Sequence, residues 1–420
     1  STRPDYINSA ILDNLKAHQV DIIELGVQSF DEAVLKASKR GHKISDIYYA
    51  CNLIKTYGFS LGIQLMIGLP NDSKEKSIES ARLAAQIQPD IARLYPTLVL
   101  PDTELFEMMK LGKYSPLSQK DAIEICKEAT KNYCLNKTDI PLRTPIISEN
   151  NNGQVLFMPG KISSESDNIG IKIVSVYPDN SLINLPSVPS TMITIDEKTG
   201  IVNGIIDGTY LTALRTAALQ GAATDLLANK DSKIATLIGT GGQAFEQARA
   251  LLTIRNLSEL RVVARNFEKT KKFVEKLKEE LIDFSTDIIA YENVNEATID
   301  SDIITTVTTS TTPTFSAKHL KQGVHINGIG SFTYDMVELP SEIINSNNKI
   351  YFDTRDGVLS EAGDILQPLE NQLISHEDFK GELGELVLNS IEGRISKSEI
   401  TIFKSVGSAV FDIACADYVI

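Results

Sequence analysis

Two rhythms of apolar and polar positions divide this 420-residue chain. Over residues 21–98, short apolar runs alternate with amphipathic stretches at helical spacing. Asp21-Ile-Ile-Glu-Leu-Gly-Val27, Phe59-Ser-Leu-Gly-Ile-Gln-Leu-Met-Ile-Gly68 and Ile91-Ala-Arg-Leu-Tyr-Pro-Thr-Leu98 read as strands, with helices at about 31–40, 45–57 and 73–87 between them. That order implies parallel strands with right-handed crossovers. Farther along, Lys233-Ile-Ala-Thr-Leu-Ile-Gly-Thr-Gly-Gly-Gln-Ala244 is an apolar strand ending in a glycine turn that opens directly into a helical pattern.

The glycine turn carries the first chemistry. In Gly239-x-Gly241-Gly242-Gln243-Ala244, Gly239 permits a tight turn and Gly241 lets the backbone approach phosphates. Ala244 keeps the helix close to the sheet, and the helix N-terminus turns free N–H groups toward an anion. A lone glycine triplet is weak; the strand before it and the helix after it supply the context a dinucleotide pyrophosphate requires. The next strand, Leu260-Arg-Val-Val-Ala264, ends without the acidic residue that usually holds ribose hydroxyls. Arg265, Lys269 and Lys271 follow instead, charges that suit a 2′-phosphate and lean the expected cofactor to NADPH over NADH, although cations on a helix are ordinarily a solvated face.

Composition narrows the picture. Hydrophobic residues make up 42% and charged residues 23%, as in an ordinary soluble protein long enough for two or three domains. A net charge of −14 argues against nucleic acid or an anionic membrane as partner. No apolar run approaches the ~20 residues of a membrane span, and Ser1-Thr-Arg-Pro-Asp-Tyr-Ile is not a signal peptide. A cytoplasmic location is expected. The chain opens without Met, as a processed chain or a fragment would. Cys51, Cys126, Cys134 and Cys415 form no CxxC pair, and the five histidines show no HxH or HExxH spacing, so neither a disulfide framework nor a metal site is expected.

Residues 1–118 resemble the C-terminal half of a radical S-adenosylmethionine barrel of the Elongator-catalytic-subunit type. Arg3-Pro4-Asp5, Glu24-Leu-Gly-Val-Gln-Ser29, Arg40-Gly41-His42, Gln64-Leu-Met-Ile-Gly-Leu-Pro70 and Tyr95-Pro-Thr-Leu-Val-Leu100 carry the likeness. The CxxxCxxC loop that supplies three thiolates to the family's iron–sulfur cluster is absent, so the resemblance implies a (βα) fragment without its electron donor. Gln28 and Arg93 would line the old barrel mouth or simply end strands. The truncated sheet leaves an unpaired edge, which predicts lower stability for this part.

From about residue 119 the chain resembles the ornithine cyclodeaminase/μ-crystallin family. The motifs are Pro141-Leu-Arg143-Thr, Ile169-Gly-Ile-Lys172-Ile-Val-Ser175, Asp207-Gly-Thr-Tyr-Leu-Thr-Ala-Leu-Arg215-Thr216-Ala-Ala218 and Ile402-Phe-Lys404-Ser-Val-Gly407-Ser-Ala-Val-Phe-Asp412. The two resemblances meet in Lys120–Ala129, a helix plausible for both; a gene fusion, an assembly artefact or an engineered chimera would each give such a junction. The family likeness implies an α/β fold: a Rossmann domain at 226–345 inserted in an α+β substrate and dimerisation domain (119–225 and 346–420), behind the partial barrel of 1–118. It implies a homodimer through the substrate domain. It also assigns Arg143 and Arg215 to the substrate carboxylate and Lys172 to proton transfer. Thr216, Thr308, Lys404 and Gly407 join the glycine turn and Arg265 in holding the cofactor.

The residues themselves make this chemically sensible. An arginine fork grips a carboxylate bidentately. A lysine inside an apolar strand is costly to bury unless paired or functional, and a desolvated lysine has a lowered pKa suited to acid–base work; an edge-strand lysine facing solvent is the alternative. One departure bears on the reaction. Ornithine cyclodeaminases carry an aspartate just after the glycines of the strand matching His325–Gly330, where this chain has Phe332. A phenyl ring cannot move a proton, so hydride transfer at the α-carbon of an imino or amino acid (ketimine reduction or amino-acid dehydrogenation) is expected rather than cyclodeamination. A cofactor-binding protein without turnover, or a disabled fusion, is the other class to separate.

Overall fold

A computed structural model of the chain describes residues 1–96, 108, 118–163, 167–183 and 185–419. The last four residues of the Tyr95–Leu100 motif therefore lie outside it. Strands β1 (Ile22–Gln28), β2 (Ser60–Ile67) and β3 (Ile91–Pro96) form a parallel sheet in that order, with helices Glu32–Ala37, Ile44–Thr56 and Lys74–Ile87 crossing between them. Asp31 and Ser73 cap two of these helices, accepting from the amides of Val34 and Lys76, as short polar side chains do at a helix start. Leu25, Val27, Ile47, Ile54, Leu61 and Ile63 build a core of their own, separate from the rest. Among the described residues β3 has a ladder partner only in β2, and its backbone also lies close to residues 202–207. Arg93, on β3, pairs with Glu24 of β1 at 2.9 Å.

The second unit is an antiparallel sheet, β4 (Thr138–Asp139), β5 (Thr144–Ser148), β6 (Gly153–Ser163), β7 (Asp167–Val176), β8 (Ser190–Asp196) and β9 (Val202–Asp207), ordered β4-β6-β7-β8-β9 with β5 on β6. Side chains alternate faces along a strand. Gly170, Lys172 and Val174 therefore turn inward, toward helices Gln119–Cys134, Gly208–Leu227 and Ala409–Val419, while Ile169, Ile171 and Ile173 turn outward and stay only partly covered. Phe157 on β6 and Ile193 on β8 share that outer face, with Ile205 exposed on β9.

The third unit is an eight-stranded parallel sheet. Its strands are β10 (Ile234–Ile238), β11 (Glu259–Val263), β12 (Asp287–Tyr291), β13 (Ile303–Thr306), β14 (His325–Gly328), β15 (Lys349–Phe352), β16 (Gly381–Glu382) and β17 (Thr401–Lys404), ordered β12-β11-β10-β13-β14-β17-β15-β16. The chain leaves β10 toward β11 and later returns to β13 on the opposite side, so the glycine turn after β10 sits where the strand order reverses, the usual dinucleotide crevice. The sheet runs past the expected boundary at 345. β17 lies between β14 and β15, and residues up to Lys404 complete the cofactor sheet. Helix Leu383–Val387 packs on helix Gln119–Cys134 of the substrate unit, and the segment from Ser405 through helix Ala409–Val419 returns to the substrate sheet. Four-residue strands such as Lys349–Phe352 are too short to show a period, which is why the pattern alone misplaced them.

Candidate active site

Lys172 is on β7, a central strand flanked by β6 and β8, where it lies in register with buried Met158 and Met192. It is 1% exposed, so the solvent-facing alternative does not hold. Its Nζ donates to Asp412 Oδ2 at 2.7 Å, and Arg215 Nε donates to Asp412 Oδ1 at 2.9 Å. One carboxylate on helix Ala409–Val419 thus bridges a lysine and an arginine, all buried. Burial pushes the Lys172 ammonium down to about 7; Arg215 adds to the drop and Asp412 opposes it.

Arg215 keeps Nη1 without a hydrogen-bond partner among the described residues. That atom lies 2.8 Å from where a Cβ on Gly407 would stand, and Gly407 has φ +78°, so only glycine both adopts this turn and leaves room for the guanidinium. Asp353 fixes the turn: its Oδ2 accepts from Ser405 Oγ at 2.7 Å and from the Gly407 amide at 2.8 Å. Burial raises the Asp353 carboxyl above its ordinary range.

Arg143, just ahead of β5, joins the same electrostatic neighbourhood. Its Nε donates to Glu361 Oε1 at 2.8 Å, its Nη2 pairs with the other carboxylate oxygen, and Nη1 makes a longer bond of 3.4 Å to the Val406 carbonyl. Its Cζ stands 5.7 Å from the centre of the Phe332 ring. Burial lowers its pKa to about 10, with Arg215 adding to the drop and Asp353 and Asp412 opposing it. A narrow cleft runs past Arg143, Glu361, Thr354, Met158 and Gly407, between the substrate sheet and the helix after β15.

The dinucleotide turn has the shape the sequence implied. Gly239, at φ +118°, would bring a Cβ to 2.6 Å from the Val307 carbonyl, so no other residue fits there. A Cβ on Gly241 or Gly242 would meet nothing within 4 Å, leaving open space before helix Ala244–Ile254. Ala244 is fully buried against the sheet, and Gln243 has its Oε1 buried without a partner among the described residues. Thr308 covers the turn from β13, its methyl 3.1 Å from the Gly239 Cβ position. Its amide donates to Glu338, which also accepts from the amides of Gly330 and Ser331 at 2.6–2.8 Å. Arg265 is exposed beyond β11 and makes no ion pair among the described residues; Lys271 is paired with Glu268. Thr216 is half-buried and turns its hydroxyl onto the Thr212 carbonyl at 2.6 Å.

Lys404 was expected beside the cofactor. It is fully buried, and its Nζ donates to Ser331 O and Oγ at 2.7 and 2.9 Å and pairs with Asp364 at 3.0 Å. Ser331 and Asp364 thus hold its ammonium from within the protein. Asp412, Glu361, Glu338 and Asp353 were absent from the sequence-derived set. Asp412 had a legible signal, a single acid among Ala409-Val-Phe and Ile413-Ala-Cys; Glu338 has a weaker one, between Val337 and Leu339, and Glu361 has none.

A glycine turn open to a pyrophosphate, on a chain that also buries a lysine–aspartate–arginine centre, is what an NAD(P)-dependent oxidoreductase requires. The open space at Gly241 and Gly242 and the free helix start fit a nicotinamide dinucleotide. The comparisons agree. The sequence model of the ornithine cyclodeaminase/mu-crystallin family matches residues 110–420, and that of the radical SAM superfamily matches residues 1–84. The chain belongs to the ornithine cyclodeaminase/mu-crystallin family. It is 36% identical over 302 residues to a Delta(1)-pyrroline-2-carboxylate reductase of Bacillus cereus, covering 72% of this chain and 91% of the relative. The solved Delta(1)-pyrroline-2-carboxylate reductase of Thermococcus litoralis, in complex with NADH and L-proline, is 38% identical with a TM-score of 0.69, covering 72% of this chain and 92% of that one. An archaeal alanine dehydrogenase dimer with bound NAD is 31% identical with a TM-score of 0.66, at 72% and 91% coverage.

Proposed function

We propose that the chain reduces a small cyclic imino acid to the amino acid with NADPH or NADH, in the manner of its pyrroline-2-carboxylate reductase relatives. The carrying observation is the buried Lys172–Asp412–Arg215 cluster beside Arg143, with Phe332 where a cyclodeaminase needs an acid. The nicotinamide, when bound, supplies the hydride to the imine carbon. Arg143 and Arg215 hold the substrate carboxylate, orienting the C=N bond. Lys172, poised near neutral pH, supplies the proton at the ring nitrogen, and Asp412 keeps its ammonium aligned. Thr308 and Phe332 shape the pocket on the cofactor side.

Ala264 and Arg265 at the end of β11 support acceptance of a 2′-phosphate. The half-covered apolar face of β6–β9 supports a homodimer through the substrate sheet, since an apolar sheet face of this size is ordinarily buried. Among the described residues no helix is long and apolar enough to cross a membrane, and four unpaired cysteines suit a reducing, cytoplasmic setting. The test is isotopic: with 4-deuterated NADH or NADPH and pyrroline-2-carboxylate, deuterium must appear at Cα of proline by mass spectrometry. Its absence from that carbon refutes hydride transfer at this centre.

A further inference from the structure

Arg143 and Glu361 belong to different sheets. Arg143 precedes β5 of the substrate sheet, whereas Glu361 ends helix Arg355–Glu361, which follows β15 of the cofactor sheet. Their pairing crosses the cleft. It engages one edge of the guanidinium: Nε donates to Oε1 at 2.8 Å and Nη2 pairs with the second oxygen. Among the described residues Nη1 has only the 3.4 Å bond to the Val406 carbonyl, and the Phe332 ring lies under the plane at 5.7 Å. An arginine has two edges able to take a carboxylate, and here one is occupied by protein.

We propose that Glu361 is a positioning residue for substrate recognition, holding one edge of Arg143 so that its Nη1 side is presented to the substrate carboxylate. The inference rests on the imino-acid reading above and deepens it. A free arginine side chain loses about 2 kcal/mol of rotamer entropy when it is fixed, and a ligand that finds it already fixed is spared that cost. Glu361 also offsets charge: Lys172, Arg143 and Arg215 crowd one buried region, in which Asp412 bridges Lys172 and Arg215 while Glu361 pairs with Arg143. Because Glu361 comes from the cofactor unit, the carboxylate seat is complete only when both walls of the cleft are in place.

The test compares Glu361→Gln with wild type on pyrroline-2-carboxylate and on 1-pyrroline, the same ring without a carboxylate. The expected result is a KM for the carboxylate substrate raised about tenfold, with kcat and the nicotinamide KM changed less than threefold and 1-pyrroline turnover equally little affected. Glu361→Asp should recover part of the loss. In an Arg143→Gln background the Glu361→Gln change should add nothing. An unchanged KM, an equal loss on 1-pyrroline, or additive effects with Arg143→Gln would overturn the proposal. Should wild type reduce no imine, the imino-acid reading falls by itself. Calorimetric binding of L-proline to the NADH complex then decides the role of Glu361: weaker binding in Glu361→Gln upholds it, and equal binding or none in wild type overturns it.

Discussion

Lys172 Nζ and Asp412 Oδ2 stand 2.7 Å apart although 240 residues separate them in the chain. The strand that carries the lysine would be hard to build without the aspartate, because an unpaired buried ammonium is costly and breaking one partner of a buried pair typically costs about 3–5 kcal/mol. The same contact explains why the C-terminal helix must come back from the cofactor sheet to the substrate sheet. It brings the counter-ion that lets a lysine stay inside and still titrate near neutrality.

That titration sets the pH dependence. In the reductive direction Lys172 must carry the proton it donates, so kcat/KM falls as pH rises through about 7. In the oxidative direction the neutral amine is needed, and the rate rises through the same region. Asp412 raises the lysine pKa, so Asp412→Asn should move the reductive limb to lower pH, as well as slowing the reaction. Rate profiles in both directions check this; a limb that stays in place in Asp412→Asn would contradict it.

Phe332 contributes through its ring. A cation over an aromatic face in a desolvated site contributes about 2 kcal/mol, so Phe332→Leu should raise the KM for the imino acid by roughly ten- to thirtyfold with a smaller change in kcat. Steady-state kinetics on the purified variant measure it. Wild type should release no ammonia from ornithine, since no acid stands at that position.

Much of this site was legible beforehand. Lys172 was exposed as unusual by its apolar neighbours, and the glycine turn by the strand and helix around it. The partners were harder to see. Glu361 follows Val358-Leu-Ser360 in a short helix, and nothing local marks it as a mate for an arginine 218 residues away. Lys404 is the opposite case: its motif was recognised, yet the sequence does not show its partners, Ser331 and Asp364. The extent of the cofactor sheet was missed because β15, β16 and β17 are two to four residues long and pair out of chain order.

Arg265 is the test of cofactor choice. Its exposed guanidinium beyond β11, next to Ala264, should bind a 2′-phosphate and contribute little to a bare ribose. Arg265→Ala should weaken NADPH binding about tenfold while NADH binding changes less than twofold, as read by cofactor fluorescence titration.

His325 governs acid stability. It is fully buried, its Nε2 bonded to Asn327 Oδ1 and its Nδ1 to Thr401 Oγ1, each at 3.0 Å, and burial pushes it down to about 3. An unfolded histidine takes a proton below its ordinary 6.5 while the native one stays neutral. Its contribution is therefore intact above 6.5 and is lost toward pH 3, at about 1.4 kcal/mol per pH unit. Denaturant unfolding at a series of pH values should show that slope, reduced in His325→Gln.

The central claim is that Lys172 serves an imino-acid reduction. The most direct measurement is NADPH and NADH oxidation with pyrroline-2-carboxylate, by wild type and by Lys172→Ala. The account predicts steady turnover in wild type and a loss of at least about a hundredfold in kcat for the variant, with cofactor binding retained. Turnover that survives in Lys172→Ala, or a wild-type protein that binds the cofactor and reduces no imine, would contradict it.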